Sequence, residues 1–380
     1  MRPAVLPPRL GTRRVLAIAT VAQSLKFQTP SAWPLLVNKG LDITYAAAPD
    51  EWYTELEQTG RFEAIRGARN VRPASMACAF LDIRRLLRRH WALVQVQSPV
   101  VAFLARLAPS SSPLIYIAHG FHFHPDGAPL SNAVFSLAER ALAGRCDGVG
   151  VVSGEDFATA KRMGFHRRTC LWRLPGAGVD LDRFRLTPPE DTGTLRLLFI
   201  GELNANKDPA RFLDVVRALR QRGTNVVGTI VGDGPLSALV QTAVHADPLA
   251  LRWLRRTDAP EDLLRDCHIV LLPSRREGLP RVIVEALATG RPVVACSNRG
   301  SRELLWRTGS GRLMGQASTT DDWVRAVLDL QHDPPPGGAM RASVKRYSLG
   351  AFDRSYSRFV DTVLTQASPR GAFDLEDQRE

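Results

Sequence analysis

Short apolar runs recur along the chain, and each is followed by a polar turn and a helix-like stretch. In the first half the runs are Val15–Thr20, Ile43–Ala47, Leu93–Val96, Leu114–Ala118, Gly148–Val152 and Cys170–Leu174. In the second half they are Leu195–Ile200, Val226–Val231, Leu251–Leu254, Ile269–Leu272 and Pro292–Cys296. Helical patterns such as Ser75–His90 and Leu130–Ala143 lie between them. Strand and helix in strict alternation imply parallel sheets with helices on both faces. Two such series imply two doubly wound α/β domains, each binding ligands outside the carboxyl ends of its strands.

A chain of 380 residues suits two domains of ordinary size. "RLTPPEDTGTL" (Arg185–Leu195) is rich in proline and polar residues and marks the boundary. The expected division is residues 1–187, a linker at 188–194, a second domain at 195–348, and a C-terminal helix at 349–367 that packs back on the first domain. The last residues, "SPRGAFDLEDQRE", are polar and expected to fray. Hydrophobic residues make up 44% and charged residues 23%, a globular balance. No apolar run reaches the length of a membrane-spanning helix. "VLAIATVA" after Arg13 and Arg14 has the look of a signal core, but it reads better as a first buried strand. The five cysteines form no CxxC pair and mostly lie in apolar segments, which suggests free thiols in a reducing compartment.

The net charge of +12 favours an acidic partner. "LDIRRLLRRHWAL" (Leu81–Leu93) combines Arg84, Arg85, Arg88 and Arg89 with Leu81, Leu86, Leu87 and Trp91. It reads equally well as a basic amphipathic helix resting on an anionic membrane surface and as a solvated helix packed on the sheet. No nucleic-acid module and no interleaving of aromatic and basic residues is present, so no nucleic-acid partner is expected.

Four constellations follow strand ends. In "LLFIGELNANKD" a strand exits at Gly201 and a loop carries Lys207 to a helix starting near Pro209. The chain has five lysines, and this one stands where a helix N-terminus already favours an anion. In "GTIVGDGPL" the glycines around Gly232 and Asp233 permit close backbone approach to a ligand, or make a plain turn. In "LIYIAHGFHFHPDGAPL", His119, His122 and His124 follow a strand. No carboxylate or cysteine set accompanies them, so a neutral imidazole serving as a hydrogen-bonding group is preferred to a metal ligand.

The fourth is "SRREGLPRVIVEALATGRPVVA" (Ser274–Ala295), which puts Glu277 before a helix and Glu285 inside it. Glu277 has a bland reading as an acid at a helix start. Glu285 has one as the i,i+4 partner of Arg281 on a wet face. Val282, Ile283, Val284, Ala286, Leu287 and Ala288 leave little wet face, so Glu285 needs a polar partner. Eight helical residues span about 12 Å, beyond the ~5–9.5 Å of a glycosidase carboxylate pair. The two are better read as holding different parts of one elongated ligand.

Taken together, these segments resemble the nucleotide-sugar glycosyltransferases of family 4, which have the GT-B fold of two Rossmann-like domains facing across a cleft. "REGLPRVIVEALATGRPVVA" is similar to that family's E-x7-E signature. "GELNANKD", "VGDGP", "LPGAGVDLDRF" and "AHGFHF…GAPL" occur in the family's order. The last is similar to the capsular- and exopolysaccharide-type members. The resemblance implies a retaining, metal-independent transferase without a cofactor. Its donor would be a nucleotide sugar, UDP-linked and carrying an N-acetylhexosamine or related hexose. Its acceptor would be a polyprenyl-diphosphate glycan, met at the inner face of the cytoplasmic membrane. The first domain would serve the acceptor and the second the donor.

Residue by residue, the resemblance implies that Glu277 contacts the donor sugar and that Glu285 holds the ribose. Lys207 neutralises the diphosphate with amides at Gly278 and Leu279, beside Gly201, Arg276 and Pro280. His119 supports charge developing at the sugar ring, and the base lies near Leu254–Arg256 and the Gly232–Pro235 loop. Glu202 stands where many members carry arginine, and it must face away from the diphosphate or pair. A sugar-nucleotide epimerase of the same fold and a basic nucleic-acid-binding protein are the competing classes.

Overall fold

The computed structural model describes residues 13–69, 72–121, 123, 129–190, 192–306 and 308–366. By contacts the chain divides into two compact units, Met1–Gly178 with Phe352–Glu380, and Val179–Ala351.

Among its described residues the first unit holds seven parallel strands: β1 (Arg14–Val21), β2 (Asp42–Ala48), β3 (Arg61–Ala64), β4 (Leu93–Gln97), β5 (Leu114–Ala118), β6 (Gly148–Val151) and β7 (Cys170–Arg173). Their order is β3-β2-β1-β4-β5-β6-β7. Side chains alternate across a strand, and β1 shows the result. Leu16 and Ile18 join one buried cluster, with Ile83, Leu87 and Val101. Val15 and Ala17 join another on the opposite face, with Trp33, Tyr45 and Phe359. Both faces are dry, which is why the strands read as continuous apolar runs.

The helix Pro73–Leu87 settles the two readings of the Leu81–Leu93 segment. Ile83, Leu86, Leu87 and Trp91 sit in the core. Arg89 pairs with Glu63, and Arg66 with Asp82 at 2.8 Å. Only Leu81 remains exposed among the large apolar side chains of this segment. The segment therefore packs on the sheet and has no apolar face left for lipid.

The last helix, Leu349–Gln366, begins in the second unit, and from Phe352 onward it belongs to the first. Phe352, Tyr356, Phe359, Val360 and Val363 fill the cluster on one face of the sheet. Tyr356 Oη donates to buried Gln95 at 2.6 Å, and Trp172 Nε1 donates to Ser355 Oγ at 3.0 Å. Gly148 of β6 accommodates this packing, because a Cβ there would lie 2.6 Å from Val363 and 2.8 Å from Phe359.

The second unit holds β8 (Leu195–Ile200), β9 (Val226–Val231), β10 (Leu251–Leu254), β11 (Ile269–Leu272), β12 (Val293–Cys296) and β13 (Gly311–Met314). They are parallel, in the order β10-β9-β8-β11-β12-β13. β12 again splits its side chains, with Val294 and Cys296 to one cluster and Val293 and Ala295 to the other. The chain enters this unit at Val179, ahead of the proline-rich stretch. Val179 N–H donates to Tyr347 O at 3.0 Å, and Leu349 N–H donates to Val179 O at 2.8 Å. Arg341 donates to the carbonyls of Leu181 and Phe184, and buried Arg291 to that of Thr187.

Replacing Phe359 with alanine removes a fully buried ring between helix and sheet. The expected cost is about 3–5 kcal/mol of stability, read as a shift of the denaturant midpoint. A loss below about 1 kcal/mol would mean that this helix does not complete the core.

Candidate functional site

The carboxyl ends of β8, β9 and β11 bring most of the candidate residues together in the second unit. The loop after β8 is zipped to the loop after β9. Gly201 N–H donates to Val231 O, Leu203 N–H to Asp233 O, and Leu236 N–H to Leu203 O, at 3.0, 2.9 and 2.8 Å. Such close approach explains Gly232: its φ is 146°, and a Cβ there would sit 1.9 Å from Gly201 O. Trp253 Nε1 donates to Gly232 O at 2.9 Å. Asp233 accepts from Ser237 and from Gly234 N–H, and pairs with Arg255 at 2.7 Å. The Ser237 bond first, then the Gly234 and Arg255 bonds, hold its carboxyl below the usual range.

Lys207 is set by its own loop. Its N–H donates to Asn204 Oδ1 at 3.0 Å, and Asp208 takes a left-handed turn (φ 52°) to cap the helix Pro209–Gln221. The ammonium thereby reaches Glu277, Nζ to Oε1 at 2.5 Å. Glu277 stands in the loop after β11, which is tied from two sides. Asn206 accepts from Arg275 N–H on its carbonyl at 2.8 Å and donates to Arg276 O at 3.1 Å. Asn298 Nδ2 donates to Ser274 O at 2.8 Å, and Gly300 N–H donates to Glu277 O at 3.3 Å. A Cβ on Gly300 would lie 2.7 Å from Gly278 O, so glycine is needed for this approach.

Gly278, Leu279 and Pro280 lead into the helix Arg281–Ala288, with Pro280 as its N-cap. Glu285 is buried there and accepts from Arg281 Nε at 2.7 Å. Burial raises its pKa, and the Arg281 charge and bond pull it back. The i,i+4 pair therefore exists, but on a dry face. Arg276 is exposed, its Nε 3.5 Å from Asn206 Oδ1. Glu202 is exposed and makes no ion pair among the described residues.

His119 belongs to the first unit, just past β5. Its Nε2 is buried without a hydrogen-bond partner, and burial lowers its pKa to about 4. The ring is thus neutral at physiological pH. His122 and His124 lie outside the described residues. Among the described residues no cluster of metal-ligating side chains occurs.

The chemistry open to the second-unit site follows. Lys207 donates to Glu277 and keeps N–H donors for an anion. Glu277 keeps an oxygen able to accept from a hydroxyl. The sequence reading missed Asn206 and Asn298, the two amides that pin the Glu277 loop. Asn298 carried a signal, since its side chain caps the helix Arg299–Leu305 by accepting from Ser301 N–H.

Residues 194–333 match the family described as Glycosyl transferases group 1, within the second unit. EpsD of Bacillus subtilis is 28% identical over 64% of this chain and 68% of its own length. The UDP-Gal:alpha-D-GlcNAc-diphosphoundecaprenol alpha-1,3-galactosyltransferase of Escherichia coli is 23% identical over 70% of this chain and 73% of its own. Among solved structures, Anabaena HepE in complex with UDP superposes with a TM-score of 0.68 at 17% identity, over 92% of this chain and all of that one. Two Rossmann-like units of this kind define the GT-B fold. The second unit therefore matches the glycosyl transferases of group 1, and the chain as a whole has the fold of the GT-B glycosyltransferases.

His119 gives a pH test. Its folded pKa is about 4 against about 6.5 unfolded. Between these values the unfolded chain binds more protons, so stability falls as pH drops from about 6.5 toward 4. The expected loss is on the order of 2 kcal/mol, and His119→Gln should flatten that limb of the unfolding profile. Identical profiles would contradict a buried neutral imidazole.

Proposed function

We propose that the protein moves a hexose or N-acetylhexosamine from a UDP-linked donor to a polyprenyl-diphosphate glycan in cell-surface polysaccharide synthesis, with retention of configuration. The observation that carries this reading is the Lys207–Glu277 pair, held by two strand-end loops. Lys207 places positive charge at the diphosphate leaving group, together with the amides at Gly278 and Leu279 and the exposed guanidinium of Arg276. That ammonium does the work a metal ion does elsewhere, so the reading is metal-independent. Glu277 accepts from donor-sugar hydroxyls. Buried Glu285 takes the ribose hydroxyls, and the Gly201, Gly232 and Asp233 loops border the nucleotide.

In the reaction the bond from the anomeric carbon to the diphosphate oxygen breaks. The acceptor hydroxyl bonds to that carbon on the same face, and its proton passes to the departing diphosphate. His119, neutral and with its Nε2 unsatisfied, is the first-unit residue assigned to the donor sugar in this reading. The reading draws support from the UDP held by HepE and from the acceptor named for the E. coli galactosyltransferase. No helix among the described residues is long and apolar enough to cross a membrane. On this reading the enzyme works peripherally at the inner face of the cytoplasmic membrane, because that is where a lipid-linked acceptor would be met.

Lys207→Ala and Glu277→Ala should each lower kcat with UDP-sugar by ~10²-fold or more, with the fold intact by circular dichroism. Glu285→Gln should weaken UDP binding about tenfold, roughly one lost charged hydrogen bond, with a smaller effect on kcat. Full transfer by both alanine variants would overturn the site.

A further inference from the structure

The helix Pro129–Ala141 in the first unit is inside out. A surface helix ordinarily turns apolar residues inward and charge outward. Here Leu130, Val134 and Leu137 are 79%, 58% and 70% exposed. They follow i, i+4, i+7 spacing and form one stripe. The helix's carboxylate goes the other way: Glu139 is buried and pairs with fully buried Arg106 at 2.8 Å. That pair sets the rotation of the helix and obliges the apolar side to face out.

The stripe runs into positive charge. Arg140, on the next turn, lines a groove of about 290 Å³ together with Lys161, Arg162, Arg167 and Arg168. No carboxylate lines this groove. Arg140, Lys161, Arg167 and Arg168 make no ion pair among the described residues, whereas Lys26, Lys39, Arg66 and Arg89 of the same unit are all paired. Asp147 lines the neighbouring cavity with Lys161, Arg167 and Arg168, so cations outnumber the one carboxylate there. Two unusual features therefore adjoin: an uncovered apolar stripe and a group of cations in excess, none of the four in an ion pair among the described residues.

We propose that this face docks on an anionic lipid bilayer, with Leu130, Val134 and Leu137 in the acyl boundary and the groove cations on headgroup phosphates. A soluble polyanion would satisfy the cations and leave the stripe in water. A neutral apolar partner would cover the stripe and leave the excess charge unmet. A bilayer with anionic headgroups meets both needs at once. The inference rests on the reading of a membrane-held acceptor, and it moves the contact surface from the Leu81–Leu93 segment to Pro129–Ala141.

The test is flotation with vesicles of phosphatidylglycerol or of phosphatidylcholine, alongside the thermal shift caused by UDP. The wild type should partition onto phosphatidylglycerol vesicles at least tenfold better than onto phosphatidylcholine. Leu130→Ser/Val134→Ser/Leu137→Ser should lose at least tenfold in partition at any salt. Arg167→Glu/Arg168→Glu should lose a similar factor at low salt and less at high salt. Both variants should keep the wild-type thermal shift with UDP, which shows them folded. Equal vesicle binding by the wild type and both variants would overturn the inference and leave glycosyl transfer standing. So would loss in the charge variant alone, which would mean simple attraction of anions. Absence of wild-type binding would overturn the inference together with the membrane placement, as would a solution dimer that the serine variant abolishes. Absence of a UDP shift in the wild type would count against the transfer reading and leave the vesicle result untouched.

Discussion

A parallel sheet cannot leave either face to water, and the rest of this molecule follows from that. Its strands are apolar on both sides, so every crossover must lay a helix on one face or the other. In the first unit the last helix takes part of this duty. Phe352, Tyr356 and Phe359 close a face that the preceding helices leave open. Because crossovers run from the carboxyl end of one strand back to the start of the next, every carboxyl end carries a loop. The polar chemistry is therefore gathered at one edge of each sheet.

In the second unit that edge is made rigid by backbone contact. The β8 and β9 loops share hydrogen bonds through Gly201, Leu203 and Asp233. Asn206 and Asn298 hold the β11 loop from both sides. Lys207 and Glu277 meet as a consequence. Their pairing holds the half-buried Glu277 side chain against the Lys207 ammonium, which has further N–H donors for an anion. A diphosphate arriving there would compete with Glu277 for the ammonium, and that competition would free Glu277 to accept from a sugar hydroxyl. Binding and positioning would then be one event.

The central strands were legible because each is a run of buried aliphatic residues, and the spans of β5, β8, β9, β10 and β11 are those read from sequence. β3 and β13 were missed for a physical reason. Each is a four-residue edge strand, "RFEA" and "GRLM", paired on one side and mostly half-exposed, so neither shows an apolar run. The i,i+4 partner of Glu285 was readable, since helical spacing puts Arg281 beside it. The Lys207–Glu277 contact was not, because the two stand 70 positions apart and meet only through the strand order. The orientation of the Pro129–Ala141 helix was equally hidden. It depends on Arg106, which no local pattern connects to Glu139.

The central claim is that the Lys207–Glu277 pair marks the point where a nucleotide diphosphate binds. A crystal structure of the protein with UDP tests it most directly. The account expects a diphosphate oxygen within hydrogen-bond distance of Lys207 Nζ and the ribose hydroxyls on Glu285. UDP bound away from both residues, with the Lys207–Glu277 contact unchanged, would contradict it.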